Sequence, residues 1–123
     1  MDMVNDRIRF VPHRRKQILL VDFSNCPASQ VEATVRALPD IVTTQPRKSV
    51  LILCDFNGAS FNEEAVRAMK EAAVFNKPFI SKTAWVGATS FPEVFFDSLK
   101  NFSRREFPVF DTQIEALDWL VKD

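Results

Sequence analysis

The chain has few of the residues from which most enzyme active sites are built. It contains one histidine, two cysteines, two glycines and no tyrosine. His13 stands in a basic segment, far in sequence from any matching carboxylate or nucleophile. Metal binding and general-base chemistry by histidine are therefore poorly supported, and a phenolic acid is excluded. We expect neither a cofactor nor a metal.

The chain also lacks an excess of charge of one sign, with 16 basic and 16 acidic residues. A nucleic-acid partner is not expected, because such proteins carry a clear basic excess. The one basic concentration, residues 13–16, is either a solvated hairpin turn or a partner site.

Two further absences bear on location. No apolar run reaches the length of a membrane span, and the N-terminus lacks the apolar core of a signal peptide. The two cysteines, Cys26 and Cys54, lack metal-ligand spacing, which suits a reducing compartment. We therefore expect a cytoplasmic protein.

What is present is enough for one packed domain. The chain has 123 residues, of which 46% are hydrophobic and twelve are phenylalanines. With no internal repeat and no Gly- or Ser-rich linker, residues 1–123 are predicted to form a single domain.

The hydrophobic pattern switches repeatedly between strand and helix periods. Residues 8–11 and 17–23 are predicted to be antiparallel strands joined by a polar turn. Residues 49–54 form an unbroken apolar run, typical of a central strand covered by helices on both faces. Strands are also predicted at residues 79–86 and 107–110.

Helices are predicted between and after these strands, on buried faces that recur at helical spacing. The order is ββαβαβαβα, an α/β fold with a mixed sheet and right-handed crossovers. The expected core faces are Val31, Val35 and Leu38 before an interruption at Pro39, with Ile41 and Val42 extending that packing as a kinked turn; Val66, Met69 and Ala73; Phe95, Leu99 and Phe102; and Ile114, Leu117 and Val121. Phe96 is either exposed as a partner contact or part of a wide buried stripe.

The most informative segment is the polar loop after the central strand, residues 55–64, which we call the acidic loop. Open α/β sheets usually place their functional residues at such a strand end. A phosphate-binding loop would need free backbone amides at the next helix, and often a lysine. This loop places Glu63 and Glu64 there instead, so it is predicted to present negative charge.

The acidic loop, DFNGASFNEE, resembles the signature loop of the STAS superfamily (sulfate transporter and anti-sigma factor antagonist), roughly D-L-S-G-V-S-F-M-D-S. The resemblance, to the SpoIIAA-like branch, extends over about residues 17–120. Three further places are similar to that branch: residues 84–87, residues 109–110, and the pairs 115–116 and 119–120.

The resemblance implies a non-catalytic regulatory or protein-interaction module. In anti-sigma factor antagonists a partner kinase phosphorylates the serine after the loop aspartate, and the added charge releases the partner. Here the aspartate position falls on Glu63 and the serine position on Glu64. Glu64 cannot be phosphorylated, and it carries about one negative charge where phosphoserine carries about 1.5 to 2. The implied partner is a regulator or a kinase-like anti-sigma factor, and a homodimer is left open.

The predicted partner-binding residues are Asn57, Ser60, Asn62, Glu63 and Glu64. Ser60 matches the upstream serine of the STAS pattern. It is either a helix cap at Ser-x-x-Glu spacing from Glu63 or a regulatory phosphosite.

Two other functions are considered. The phenylalanine surplus fits binding of a lipid-like or other apolar small molecule between the sheet and the phenylalanine-rich helix. Asp22 and Asp55, each ending a predicted strand, fit a receiver-like domain that accepts a phosphoryl group. That fit is incomplete, because no second acidic residue follows Asp22 and residues 107–111 contain no lysine.

A cysteine-dependent phosphatase is also poorly supported. Such a site needs an arginine six residues after the cysteine to hold the phosphate. Glu32 occupies that position relative to Cys26, and Ser60 relative to Cys54. Both thiols are better explained as small packing residues.

Overall fold

The structure, a computed structural model, describes residues 6–122 apart from the side chain of Ser90. Within this range the strands are β1 (Ile8–His13), β2 (Lys16–Asp22), β3 (Val50–Asp55), β4 (Ile80–Val86) and β5 (Val109–Phe110). The α-helices are α1 (Ala28–Val42), α2 (Glu63–Asn76), α3 (Glu93–Ser103) and α4 (Gln113–Leu120). No helix in the described range has both the length and the apolar character that a membrane crossing requires.

The five strands form one mixed sheet in the order β1-β2-β3-β4-β5. β1 is antiparallel to β2, and each later pair of neighbours is parallel. The predicted α/β class, with its antiparallel first pair, is confirmed. The carboxyl ends of β2 to β5 therefore share one edge of the sheet, where polar loops can meet.

The sheet separates two apolar cores of unequal size. Ile52 and Cys54 in β3 pack under helices α1, α2 and α3, whereas Leu53 between them packs with Ala116 and Leu120 of α4. This alternation follows from the two-residue period of a strand. Helix cover on both faces of the central strand is confirmed.

Helix α1 buries the predicted face but does not stop at Pro39. Val31, Val35 and Leu38 are buried as expected, and the helix continues to Val42, which is fully buried. Pro39 has no N–H to donate to the residue four positions earlier and its ring crowds that carbonyl, but it lies in the last turn of the helix, which the burial of Val42 stabilises. The predicted interruption is wrong because packing outweighs the local cost of proline, whereas the predicted packing of Ile41 and Val42 after Pro39 is confirmed.

Helix α4 buries a different face from the one predicted. Ala116 and Leu120, four residues apart, are fully buried, whereas Ile114 is 56% exposed. Alanine lets the helix approach the sheet closely, so Leu117 and Val121 pack at the edge of that contact.

Helix α3 also buries a face that differs in part from the predicted one. Leu99 is buried, Phe95 is half-buried, and Phe102, expected in the core, is 58% exposed. The Phe96 ring instead packs edge-on against Trp85, with the ring centroids 5.3 Å apart. Of the two alternatives for Phe96, the structure favours the wide buried stripe.

The β1–β2 turn consists of Arg14 and Arg15, with His13 paired to Lys16. Both arginines have positive φ, 48° and 70°, as a type I′ turn requires. Residues with a Cβ carry a steric penalty in this region, and glycine does not. The basic segment is thus a hairpin turn, tied to α4 by an Arg14–Asp118 ion pair at 3.3 Å.

Replacing Arg15 with glycine is expected to stabilise the fold by about 0.5–1 kcal/mol, because the strain at φ 70° is removed. The melting temperature should rise by about 2–5 °C in thermal unfolding. Arg15→Ala is the matched control, since it removes the same charge and keeps the Cβ. Equal effects of the two substitutions would contradict a backbone origin.

Candidate functional site

The acidic loop leaves the sheet at the edge where the parallel strands end. Asp55, the last residue of β3, is the register partner of Asp22, the last residue of β2. The structure thus brings together the two aspartates that the receiver-like interpretation requires.

Both oxygens of Asp55 are engaged by the protein. Oδ1 accepts hydrogen bonds from the Asn57 backbone N–H at 3.0 Å and from Asn57 Nδ2 at 2.8 Å. Oδ2 accepts from Gln113 Nε2 at 2.8 Å, and the residue is only 8% exposed. Asp55 therefore ties the loop to the start of α4.

Asp22 has a similar local role. Its Oδ1 accepts from the backbone N–H of Ser24 at 2.9 Å and from the Ser24 hydroxyl. Residues 6–122 contain no group of three or more His, Cys, Asp or Glu side chains placed to hold a metal ion. The two carboxylates are explained as turn-forming acceptors.

Backbone contacts dock the acidic loop against the β2–α1 loop. The Asn25 N–H donates to Asn57 O at 2.8 Å, and the Ser60 N–H donates to Cys26 O at 2.9 Å. Gly58, with φ 73°, lies so close to Asn25 that an added Cβ would come within 2.3 Å of Asn25 Oδ1. The loop is therefore held by close approach as well as by hydrogen bonds.

Phe56 fixes the acidic loop to the larger apolar core. Its ring stacks on Phe23 at a centroid distance of 4.8 Å and meets Trp85 edge-on at 4.6 Å. Phe61 and Phe91 complete the aromatic cluster, with their rings 4.5 Å apart. The underside of the loop is thus fixed in the larger core.

The helix cap is Asn62, and the predicted cap at Ser60 is wrong. Asn62 Oδ1 accepts from the Ala65 N–H at 2.8 Å, and α2 begins directly after it. A capping side chain must occupy the residue that precedes the helix, and Ser60 lies two positions too early. The Ser60 side chain is on the exposed surface.

All five residues predicted to bind a partner are exposed: Asn57, Ser60, Asn62, Glu63 and Glu64. Glu63 and Glu64 occupy the first turn of α2, where the helix dipole favours negative charge. The geometry of the site is an exposed polar and acidic edge on a buried, hydrogen-bonded base.

His13 contacts a carboxylate that is distant in the sequence. Its Nε2 lies 2.9 Å from Asp118 Oδ1, across 105 positions of the chain. This hydrogen bond, with smaller contributions from nearby positive charges, lowers the pKa of Asp118. The pair fastens the first hairpin to α4 and lies apart from the acidic loop in the chain.

Neither thiol has the environment of a nucleophile. Cys26 and Cys54 are buried and unpaired with each other. Burial raises the pKa of Cys54 to about 12 and also raises that of Cys26. A reactive cysteine needs the opposite shift.

We expect a disulfide reagent at pH 8 to leave Cys54 unmodified in the folded protein, because a pKa of about 12 leaves only about 10⁻⁴ of it as thiolate. Absorbance of the released thiol, followed before and after unfolding in guanidinium, measures this directly. Two thiols per chain should react after unfolding. Rapid reaction of Cys54 in the native protein would contradict the packing role.

Sequence reasoning missed Asn25 and Gln113, which hold the loop, and the close approach of Gly87 to the loop residue Asn57. Gly87 has φ 71°, and an added Cβ would meet Asn57 Oδ1 at 2.3 Å. The sequence singles out Gly87 only within residues 84–87 of the STAS resemblance, and a glycine after a strand is also a turn signal. Nothing in the sequence near Gln113 indicates a bond to Asp55, 58 positions earlier.

Comparison of the chain with protein-family models, with curated proteins and with solved structures finds no match.

Proposed function

We propose that this protein is a non-catalytic, cytoplasmic regulatory module that recognises a protein partner through the acidic loop. The proposal rests on the STAS-like sequence of residues 55–64 and, above all, on one structural observation. Five polar side chains of the loop are exposed while its base is buried and hydrogen-bonded. The partner implied by the sequence resemblance is a regulator or a kinase-like anti-sigma factor.

The fixed base of the loop supports recognition, because a preorganised surface loses little entropy on binding. Asn57 shows this arrangement: its amide is held by Asp55 while the residue lies on the surface. A partner therefore meets a shape that is already formed.

The charge of the loop supports a partner surface of basic character. Glu63 and Glu64 are adjacent and exposed, and neither forms an ion pair in the described residues. A complementary basic surface would gain in orientation and association rate. Since Glu64 cannot be phosphorylated, control of this contact must come through binding, expression or another residue.

Charge reversal at Glu64 tests this function. In a quantitative pull-down from a lysate of the source cells, Glu64→Lys should reduce recovery of specific partners at least tenfold, because it places like charges together at a basic contact. Ser60→Ala removes a hydroxyl from the same surface and should reduce recovery less.

Glu71→Lys is the matched control. It reverses an exposed charge on the same helix, about two turns away, and loses a single ion pair to Arg36. Circular dichroism confirms that each variant is folded before the comparison. Equal recovery of reproducible partners by wild type and Glu64→Lys would contradict the proposal that the acidic loop binds the partner.

A further inference from the structure

An apolar cavity of about 60 Å³ lies between the sheet and helices α1, α2 and α3. One water needs roughly 10–15 Å³ of such space, so the cavity has room for several non-hydrogen atoms. Its wall is mostly aliphatic and aromatic, including Phe56, Trp85 and Leu99. The polar side chains in the wall are Asn76, Thr83 and Arg105.

Arg105 is a cation in this wall without an anion to balance it. Its Nη1 donates to Ala73 O at 3.0 Å and its Nη2 donates to Thr83 Oγ1, while the guanidinium lies 5.1 Å from the centre of the Phe107 ring. No carboxylate of residues 6–122 forms an ion pair with it. Burial lowers the pKa of Arg105, yet an arginine stays protonated at neutral pH.

A guanidinium carries five N–H donors, and the protein uses two of those of Arg105. Arg105 is half-buried, so part of its charge is removed from water, and an anion paired with the guanidinium would offset that cost. Arginine is also the side chain whose planar fork best matches a carboxylate.

Asn76 gives a second, independent indication of a ligand. It is 4% exposed, lines the same cavity, and its Oδ1 has no hydrogen-bond partner in the structure. Buried polar atoms of native proteins are nearly always satisfied. A hydroxyl of a ligand, or a water bound with it, would satisfy this oxygen.

The surface beside the cavity is basic. Arg105 and Thr83 also line an open groove, together with Lys77, Lys82 and Arg104. Among the described residues, one carboxylate lines this groove, that of Glu106, and it is paired with Lys100 at 3.5 Å. Such a concentration of one charge attracts anions toward Arg105.

We propose that this cavity binds a small organic monocarboxylate, with its carboxylate on the Arg105 guanidinium and its apolar part among the aromatic side chains of the wall. A mainly apolar pocket with a few convergent polar groups is the usual form of a small-molecule site. Phe56 of the acidic loop lines the cavity from its buried side, whereas Arg105 and the five exposed residues of the proposed partner surface belong to different segments. Binding of a carboxylate can therefore be measured without the proposed protein partner.

Ligand pairs of equal shape test the charge without altering the protein. Titration calorimetry should detect saturable binding of at least one of acetate, hexanoate and benzoate. The matching neutral amide (acetamide, hexanamide or benzamide) should bind at least tenfold more weakly, because it lacks the charge that pairs with Arg105. Equal affinities within a pair, or no saturable binding of any carboxylate, would overturn the proposal.

Substitutions in the cavity test where the carboxylate binds. Arg105→Met should weaken carboxylate binding at least tenfold, whereas Arg104→Met, which removes an exposed charge from the same groove, should change it less than threefold. Ala73→Leu keeps Arg105 and fills the cavity, so it should abolish binding even if Arg105→Met does not fold. Unchanged binding in folded Ala73→Leu, or equal losses in the two arginine variants, would overturn the site.

Discussion

Replacing Phe56 with alanine should destabilise the protein by about 3–5 kcal/mol, the range for removing a large aromatic side chain from a packed core. Phe56 is 1% exposed and its ring touches four other aromatic rings: those of Phe23, Phe61, Trp85 and Phe91. Much of the stability of a small domain would be lost. Equilibrium unfolding in urea measures the change, and the melting temperature should fall by roughly 10–20 °C.

Phe102→Ala is the matched control for this prediction. It removes the same side chain from helix α3, where the ring is 58% exposed and lies 5.9 Å from Lys70 Nζ. Its cost should stay below about 0.5–1 kcal/mol, as for most surface substitutions. A Phe56→Ala cost as small as that of Phe102→Ala would show that the aromatic cluster does not hold the loop.

Sequence periodicity predicts which segments are buried better than it predicts which phenylalanine of a helix is buried. Residues 49–54 are recognisable as a central strand because an unbroken apolar run needs cover on both faces. Helix α3 has apolar residues at several angles, so periodicity alone does not decide between Phe96 and Phe102. The contact of Phe96 with Trp85, a residue of strand β4, decides it.

For the candidate site too, some features can be predicted from local sequence and others cannot. Its position after β3 and the exposure of its acidic residues follow from local sequence, since a polar segment opening a helix is a local signal. Its attachments depend on residues distant in the chain, such as Gln113, and on whether Ser60 or Asn62 caps the helix. Arg105 shows the limit most clearly, because an arginine in a polar segment gives no sign that it faces a core cavity.

Asp55→Ala should destabilise the protein by about 2–3 kcal/mol. It removes the acceptor for three hydrogen bonds to a charged, mostly buried group, each normally worth about 1.5–3 kcal/mol. The total is smaller than the sum, because Asn57 and Gln113 are exposed and water can reach their freed donors. Urea unfolding measures this cost, and hydrogen exchange should show faster opening of the acidic loop.

Asp55→Asn separates this structural role from a phosphoryl-accepting one. The asparagine oxygen can still accept from Asn57, and Gln113 can turn its amide so that its oxygen accepts from the new NH₂ group. We expect a cost below about 1 kcal/mol by the same unfolding measurement. Mass spectrometry after incubation with acetyl phosphate and Mg²⁺ should show no added mass in the wild-type protein, since both oxygens of Asp55 are occupied. A mass increase in the wild type that disappears in Asp55→Asn would instead support the receiver-like interpretation, because only a carboxylate at this strand end could accept the phosphoryl group.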